Sequence, residues 1–399
     1  MNNNFNSELQ RIVDAAIKST IDISNVSSIK DLYDSRKKEL GLNDNQIQLL
    51  LKMDKNIINP ILNGTAKHIN ILNIIKLGHF LGLSVSDLMK IYVLEMPPKQ
   101  IGDIQRSREA GYIVENFDIQ TLTKIKFLKK GAETTEISDK IKSYFGFDSI
   151  FNFTENPILS VYSKTKRNSS NKIRNFWVQS AFIQFKLINN PNEYNRDKLV
   201  ELIPKIRPFS RDIEYGLIKV AKALYTVGVT VIFQPSIERL QVRGATFSCN
   251  NKPCIVISDF QKNYPTLWFT LLHELHHVLY DFEEINTYYF HLSGDADLFL
   301  INEEKADKFA RDYFLDNTRF KYIEAYIDSK TMIEHCAEKW SIHPSIIYAF
   351  YCYETNQWAR YSKYIPKMDE ALKLLNTHPF EKDTLMEPVK QIKELIYNI

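Results

Sequence analysis

Residues 271–280 read LLHELHHVLY. His273 and His277 are four apart, so on an α-helix they are neighbours on one face and their ring nitrogens can share one metal ion. Glu274 lies one position on, about 100° around the helix. That places it beside such a metal without making it a ligand. From there its carboxylate can take a proton from an attacking water and return it to a leaving amine. The remaining positions, Leu271, Leu272, Leu275, Val278 and Leu279, are apolar, so this helix is expected to be buried and its polar residues are not a solvated face. Background frequencies would give the His-Glu-x-x-His pattern in on the order of one chain in a hundred of this composition. The stretch therefore reads as a metal site with an adjacent base.

A third ligand should come from a second helix packed on the first. NEEKADKFARDYF (302–314) has Ala306, Phe309, Ala310 and Tyr313 at helical spacing, with Glu303 and Asp307 four apart on one face. Glu303 can complete a two-His, one-Glu set that leaves a fourth position for water, the arrangement of catalytic zinc. Asp307 can accept the remaining ring N–H of a ligand histidine and orient it. Glu304 is the second choice for third ligand. His291 is an alternative, set in a segment that reads as irregular, TYYFHLSGDAD. His276 pairs poorly with His273 in this scheme, and is read as a pocket wall or as a residue that orients a ligand.

Outward from this helix the fold class is α+β and mostly helical. β-branched runs predict strands at 229–234 and 253–259, with QVRGATFS between them as a third. Amphipathic helices are expected at AFIQFKLI, DKLVELI and EYGLIKVAKALYTVG, and residues 105–147 read as helical. EMPPKQIGD (95–103) reads as a linker broken by Pro-Pro, and YSKTKRNSSNKIRN (162–175) as a basic loop. The expected divisions are a front domain at 1–96, a helical middle region at 97–212, a metal-binding domain at 213–360 and a helical C-terminal segment at 361–399.

The front domain reads as short helices. SIKDLYDSRKKEL (28–40) stops at Gly41, and Asn43 or Asp44 caps NQIQLLLK. NIINPILNG ends at Gly64, Ile71–Phe80 follows, and Ser84 opens the last helix with Asp87 in its first turn. Two short helices joined by a tight turn form helix-turn-helix architecture. Residues 28–93 resemble the five-helix, repressor-like helix-turn-helix domain. In that family the second central helix enters the major groove, which implies Lys55, Asn56, Asn59 and Asn63 as the residues facing DNA. Pro60 departs from the pattern. A proline is comfortable only in a first turn, which moves the expected helix start toward Asn59.

Composition sets the class. The chain has 399 residues and a net charge of +3, and residues 101–210 hold 18 Lys and Arg against 12 Asp and Glu, a surplus that permits a nucleic-acid contact. No run of about 18 uncharged apolar residues occurs, and MNNNFNSELQ lacks the order of a signal peptide. A cytoplasmic location is expected, with no membrane partner. The four cysteines, at 249, 254, 336 and 352, are too few for a disulfide framework and lack zinc-ribbon spacing, so they read as reduced thiols.

GATF, PCIVISD, TLWFTLLHELHHVLY, NEEKADKFARDYFLD and WSIHPSIIYAF, in this order, resemble the ImmA/IrrE family of zinc metallopeptidases over about residues 215–355. The resemblance implies zinc on His273, His277 and Glu303, Glu274 as general base, and a zincin-like domain. The family commonly reads HELGH, and His276 replaces that glycine here. A repressor-like helix-turn-helix ahead of the peptidase also occurs in the family, and SYFGFDS resembles a segment between the two. Such proteins are implied to cleave helix-turn-helix repressors in regulatory, stress, toxin–antitoxin or phage-related circuits. The alternative is a DNA-binding regulator or antitoxin whose zinc domain is a sensor or scaffold. A structural zinc wants four protein ligands and no base, whereas this pattern offers three and Glu274. Hydrolysis of a small amide is a third reading.

Overall fold

The computed structural model describes residues 28–66, 68, 70–94, 96, 98–154, 169–238, 240, 242–260, 263–288, 290–292, 303–366 and 379–397. They form two compact units, divided between Gly111 and Tyr112. The protein is mostly helical with one small mixed sheet.

The first unit holds α1 (Ile29–Glu39), α2 (Asp44–Leu51), α3 (Lys55–Leu62), α4 (Ile71–Leu81) and α5 (Val85–Leu94) around Ile29, Tyr33, Ile47, Ile58, Ile61, Leu77 and Leu88. Side chains fix the helix starts. Asn43 and Gln46 form a reciprocal capping box on α2, and Ser84 accepts from the Asp87 N–H at 3.1 Å. α3 begins at Lys55, not near Asn59, and Pro60 lies inside it. Asp54 sets that start by accepting from the Asn56 N–H at 2.7 Å. Pro60 then withholds one bond from the Asn56 carbonyl, and burial of Ile58, Ile61 and Leu62 offsets the loss. Lys55, Asn56, Asn59 and Asn63 are all exposed, Asn63 as the C-cap of α3.

The Pro-Pro stretch is not simply a linker. Pro98 is the first residue of α6 (Pro98–Asn116), where a proline has no intrahelical N–H bond to lose. Residues 105–147 are helical in pieces. α6 ends at Asn116, and α7 (Ile119–Lys124) and α8 (Thr134–Phe145) follow with a turn between them.

In the second unit α9 (Ser169–Ile188) takes up the end of the expected basic loop, so residues 169–175 are helical, while 162–168 lie outside the described residues. α10 (Arg196–Ile206) and α11 (Gly216–Thr226) lead to β1 (Thr230–Gln234), β2 (Gly244–Cys249) and β3 (Lys252–Ser258). α12 (Tyr264–Tyr280) and α13 (Phe282–Tyr288) precede β4 (Phe290–Leu292). α14 (Glu303–Leu315), α15 (Asn317–Glu324), α16 (Lys330–Lys339), α17 (Pro344–Thr355), α18 (Trp358–Tyr361) and α19 (Met386–Ile392) follow among the described residues. The strand order is β1-β3-β2-β4, with β1 parallel to β3 and β2 antiparallel to both its neighbours. Asn250 and Asn251, both at positive φ, make the two-residue turn of the β2–β3 hairpin. His291 stands in β4 opposite Thr246, so its backbone is strand and not irregular. One continuous apolar core runs from Ile113 to Tyr397, and the divisions expected at 212/213 and 360/361 fall inside it.

The alternation of β2 positions the site. Gly244, Thr246 and Ser248 face α12 and α13, where Ser248 donates to the Asn286 side chain at 2.8 Å. Phe247 points the other way, its ring 5.3 Å from Phe185 of α9. A small polar row therefore lies under the helix that carries the histidines.

Candidate metal centre

α12 is held at both ends. Asn263 caps it by accepting from the Thr266 N–H at 2.9 Å, and Pro265 sits in its first turn. At the far end the Val278 and Leu279 carbonyls accept from the Tyr194 hydroxyl at 3.0 Å and the Arg196 Nε at 3.1 Å. Leu271, Leu272, Leu275 and Val278 are wholly buried, each contributing about 1.5–3 kcal/mol. That burial carries three histidines and a carboxylate into the interior with it: His273, Glu274, His276 and His277.

His273 Nε2 and His277 Nε2 are 3.2 Å apart. Glu303 of α14 brings Oε2 to 3.3 Å from His273 Nε2, and Oε1 to 3.4 Å from His277 Nε2. Four ligands at about 2.0–2.1 Å in a tetrahedron lie roughly 3.3 Å from one another, and each of these contacts is near that spacing, the two from Glu303 being made by its two different oxygens. The proton positions point the same way. Each Nδ1 faces a carboxylate at 2.8 Å, His273 facing Asp307 and His277 facing Asp281. When each Nδ1 carries the proton and donates it, the two Nε2 lone pairs point at each other. Two lone pairs at 3.2 Å repel unless a proton or a metal ion lies between them. His273, His277 and Glu303 form the cluster able to hold one. Glu304, the second choice from sequence, is exposed and lies outside it.

Charge is arranged to match. Burial works against a positive His273, but the Asp307 and Glu303 carboxylates outweigh it and raise its pKa to about 10 when no metal is bound. His277 shifts upward for the same reasons, with Asp281 as its main partner. Burial also opposes the charge on Asp281, yet the rings of His276 and His277 hold it well below the usual carboxylate range. A positive charge is stabilised at this point, as a metal site requires.

Glu274 is fully buried, and Thr246 Oγ1 donates to its Oε2 at 2.6 Å. Gly244 makes room for it, since a Cβ there would lie 2.5 Å from Glu274 Oε1 and 2.5 Å from Thr270 Cγ2. The carboxylate is therefore fixed by the strand beneath it while remaining outside the ligand set. His276 packs at the helix end, its Nδ1 3.6 Å from Asp281 and its ring 4.8 Å from Tyr280 and 5.7 Å from Phe309. It forms a second cluster of ligating side chains with His277 and Asp281.

Sequence reasoning missed two residues. Asp281 follows His277 by four, the same helical spacing that linked the histidines, so the signal was present. Thr246 needed the strand register, and only its alternation with Gly244 and Ser248 hinted at it. Comparison of the chain with family models, curated proteins and solved structures returned no match.

Proposed function

We propose that the protein is a zinc-dependent peptidase of the ImmA/IrrE kind, with a zincin-like second unit and a helix-turn-helix first unit that brings it to a protein substrate or to DNA. One observation carries the reading. A set of three side chains able to hold one metal ion stands beside a buried carboxylate outside that set.

Bound in that set, zinc would lower the pKa of a water and polarise a substrate carbonyl. The chain's own groups do the rest. His273, His277 and Glu303 hold the ion, with Asp307 and Asp281 fixing the two imidazole orientations. Glu274 accepts the proton of the attacking water on a carboxylate oxygen and passes it to the amide nitrogen that leaves. Thr246 holds the other oxygen and keeps the carboxylate aimed. Tight packing around α12 keeps bulk water off this pair.

A helix-turn-helix repressor is the proposed substrate class. Incubating the zinc-loaded chain with helix-turn-helix proteins encoded beside it, followed by mass spectrometry, should give discrete fragments that a chelator abolishes. Intact partners would turn the reading toward a DNA-binding regulator whose metal domain senses or scaffolds. No helix among the described residues is long and apolar enough to cross a membrane.

Exposure of Lys55, Asn56, Asn59 and Asn63 supports a DNA contact by the first unit. The full chain should bind duplex DNA with an affinity that falls as salt rises. Lys55→Ala should reduce the slope of log affinity against log salt by about 1. Binding that is absent, or indifferent to salt, would make the first unit a protein-interaction module.

A further inference from the structure

The end of α12 carries a second group of ligating side chains, His276, His277 and Asp281, whose offered nitrogens and oxygen lie within 4.8 Å of one another. His276 is 6% exposed, and its Nδ1 has no hydrogen-bond partner among the described residues. That atom faces Asp281 Oδ2 at 3.6 Å, beyond hydrogen-bond reach. We propose that these three residues form a second metal site, weaker than the first, which takes a divalent ion of the zinc, cobalt or nickel kind.

Imidazole nitrogen with carboxylate oxygen is a donor set that suits those ions. Packing holds the orphaned donor in place, the His276 ring lying 4.8 Å from the Tyr280 ring and 5.7 Å from the Phe309 ring. A buried nitrogen without a partner has given up its hydration for nothing, and an ion between it and Asp281 would satisfy it. His276 stands where the HELGH pattern has glycine, so this donor is no part of that pattern. Asp281 is the C-cap of α12, at the carbonyl end of the helix, where a cation is favoured. Solvent reaches the place, since the Asp281 side chain is 17% exposed and Tyr280 beside it 61%.

His277 is the ligand shared with the first centre, and only through this ring does the inference rest on that centre. In the tautomer that presents Nε2 to the first ion, its Nδ1–H donates to Asp281 at 2.8 Å. Binding the second ion replaces that N–H bond by a nitrogen–metal bond, and the proton passes to solvent. The ring then bridges two ions. Losing the bond to Asp281 makes the second site the weaker, by at least about tenfold.

The test titrates the full, metal-free chain with cobalt(II) alone, followed by its visible absorption. Wild type should take up about two ions per chain in two separate steps, tight then weak. His276→Phe keeps a ring against Tyr280 and Phe309 but has no nitrogen, and should lose the weak step while the tight one is unchanged. Glu303→Ala should lose the tight step and keep the weak one. A wild type with only the step that Glu303→Ala removes, or a weak step that survives His276→Phe, would overturn the proposal and leave the peptidase reading intact. A chain whose one step depends on His276 and not on Glu303 would do the reverse. If His276→Phe loses both steps, His276→Leu is read in its place on the same terms. Loss of both steps in that variant too would make His276 part of the first centre and overturn the second site.

Discussion

Glu274→Gln is expected to lower cleavage by at least about 10²-fold, the lower end of what a positioned acid–base group contributes, with zinc content and melting temperature unchanged. The reasoning starts from burial. Glu274 is fully enclosed, and its Oε2 accepts from Thr246 at 2.6 Å. Glutamine has the same shape and keeps one carbonyl oxygen for that hydroxyl, so the side chain stays in place. It cannot accept the water's proton, because an amide has no basic oxygen at neutral pH. Metal binding should persist, since Glu274 stands outside the cluster of His273, His277 and Glu303. The measurement is fragment production at matched zinc content, by gel or mass spectrometry. The variant should also retain substrate long enough for a pull-down, as the binding groups are untouched. Wild-type cleavage by Glu274→Gln would end the peptidase reading and leave the DNA-binding regulator in its place.

The contrast between Glu274 and its surroundings shows what a sequence can reveal. Helical spacing is local, so His273, Glu274 and His277 on α12, and Glu303 and Asp307 on α14, could be read directly, and the described helices carry all five. Three of the four strands of the second unit were legible for the same reason, because β-branched runs with turn residues at their ends depend on near neighbours. Thr246 was hidden because its partner lies 28 residues away and depends on strand register. Prolines were misread in two places. Pro98 starts α6 and does not break the chain there, while Pro60 sits inside α3 because Asp54 fixes the helix start upstream. Both follow from position within a helix, which depends on where a cap lies and not on the proline itself. The basic stretch up to residue 175 looked like a loop from composition. Its end becomes helix because Ile173, Phe176 and Trp177 bury against the second unit's core.

The purified protein should carry about one zinc per chain, and His273→Ala or Glu303→Ala should lose most of it. Each substitution removes one of the three side chains placed to hold the ion. Asp281→Ala and Asp307→Ala test the supporting carboxylates separately. They leave the ligands in place but free the imidazole rings, and should weaken zinc about 10–100-fold, the usual cost of removing such a partner. Acidity gives an independent check. Without metal, burial opposes the charged form of His273, yet Asp307 and Glu303 raise its pKa to about 10, against an ordinary value of 6.5. A raised folded-state pKa means that the proton stabilises the metal-free fold fully below about pH 6.5, and that this contribution fades as pH rises through about 10. Near neutral pH zinc must therefore displace a proton, so its affinity should fall as the solution is acidified. Calorimetry in buffers of different ionisation enthalpy should register that proton release on zinc uptake. Full zinc occupancy in both His273→Ala and Glu303→Ala would remove the metal from this site, and with it the chemistry built on Glu274.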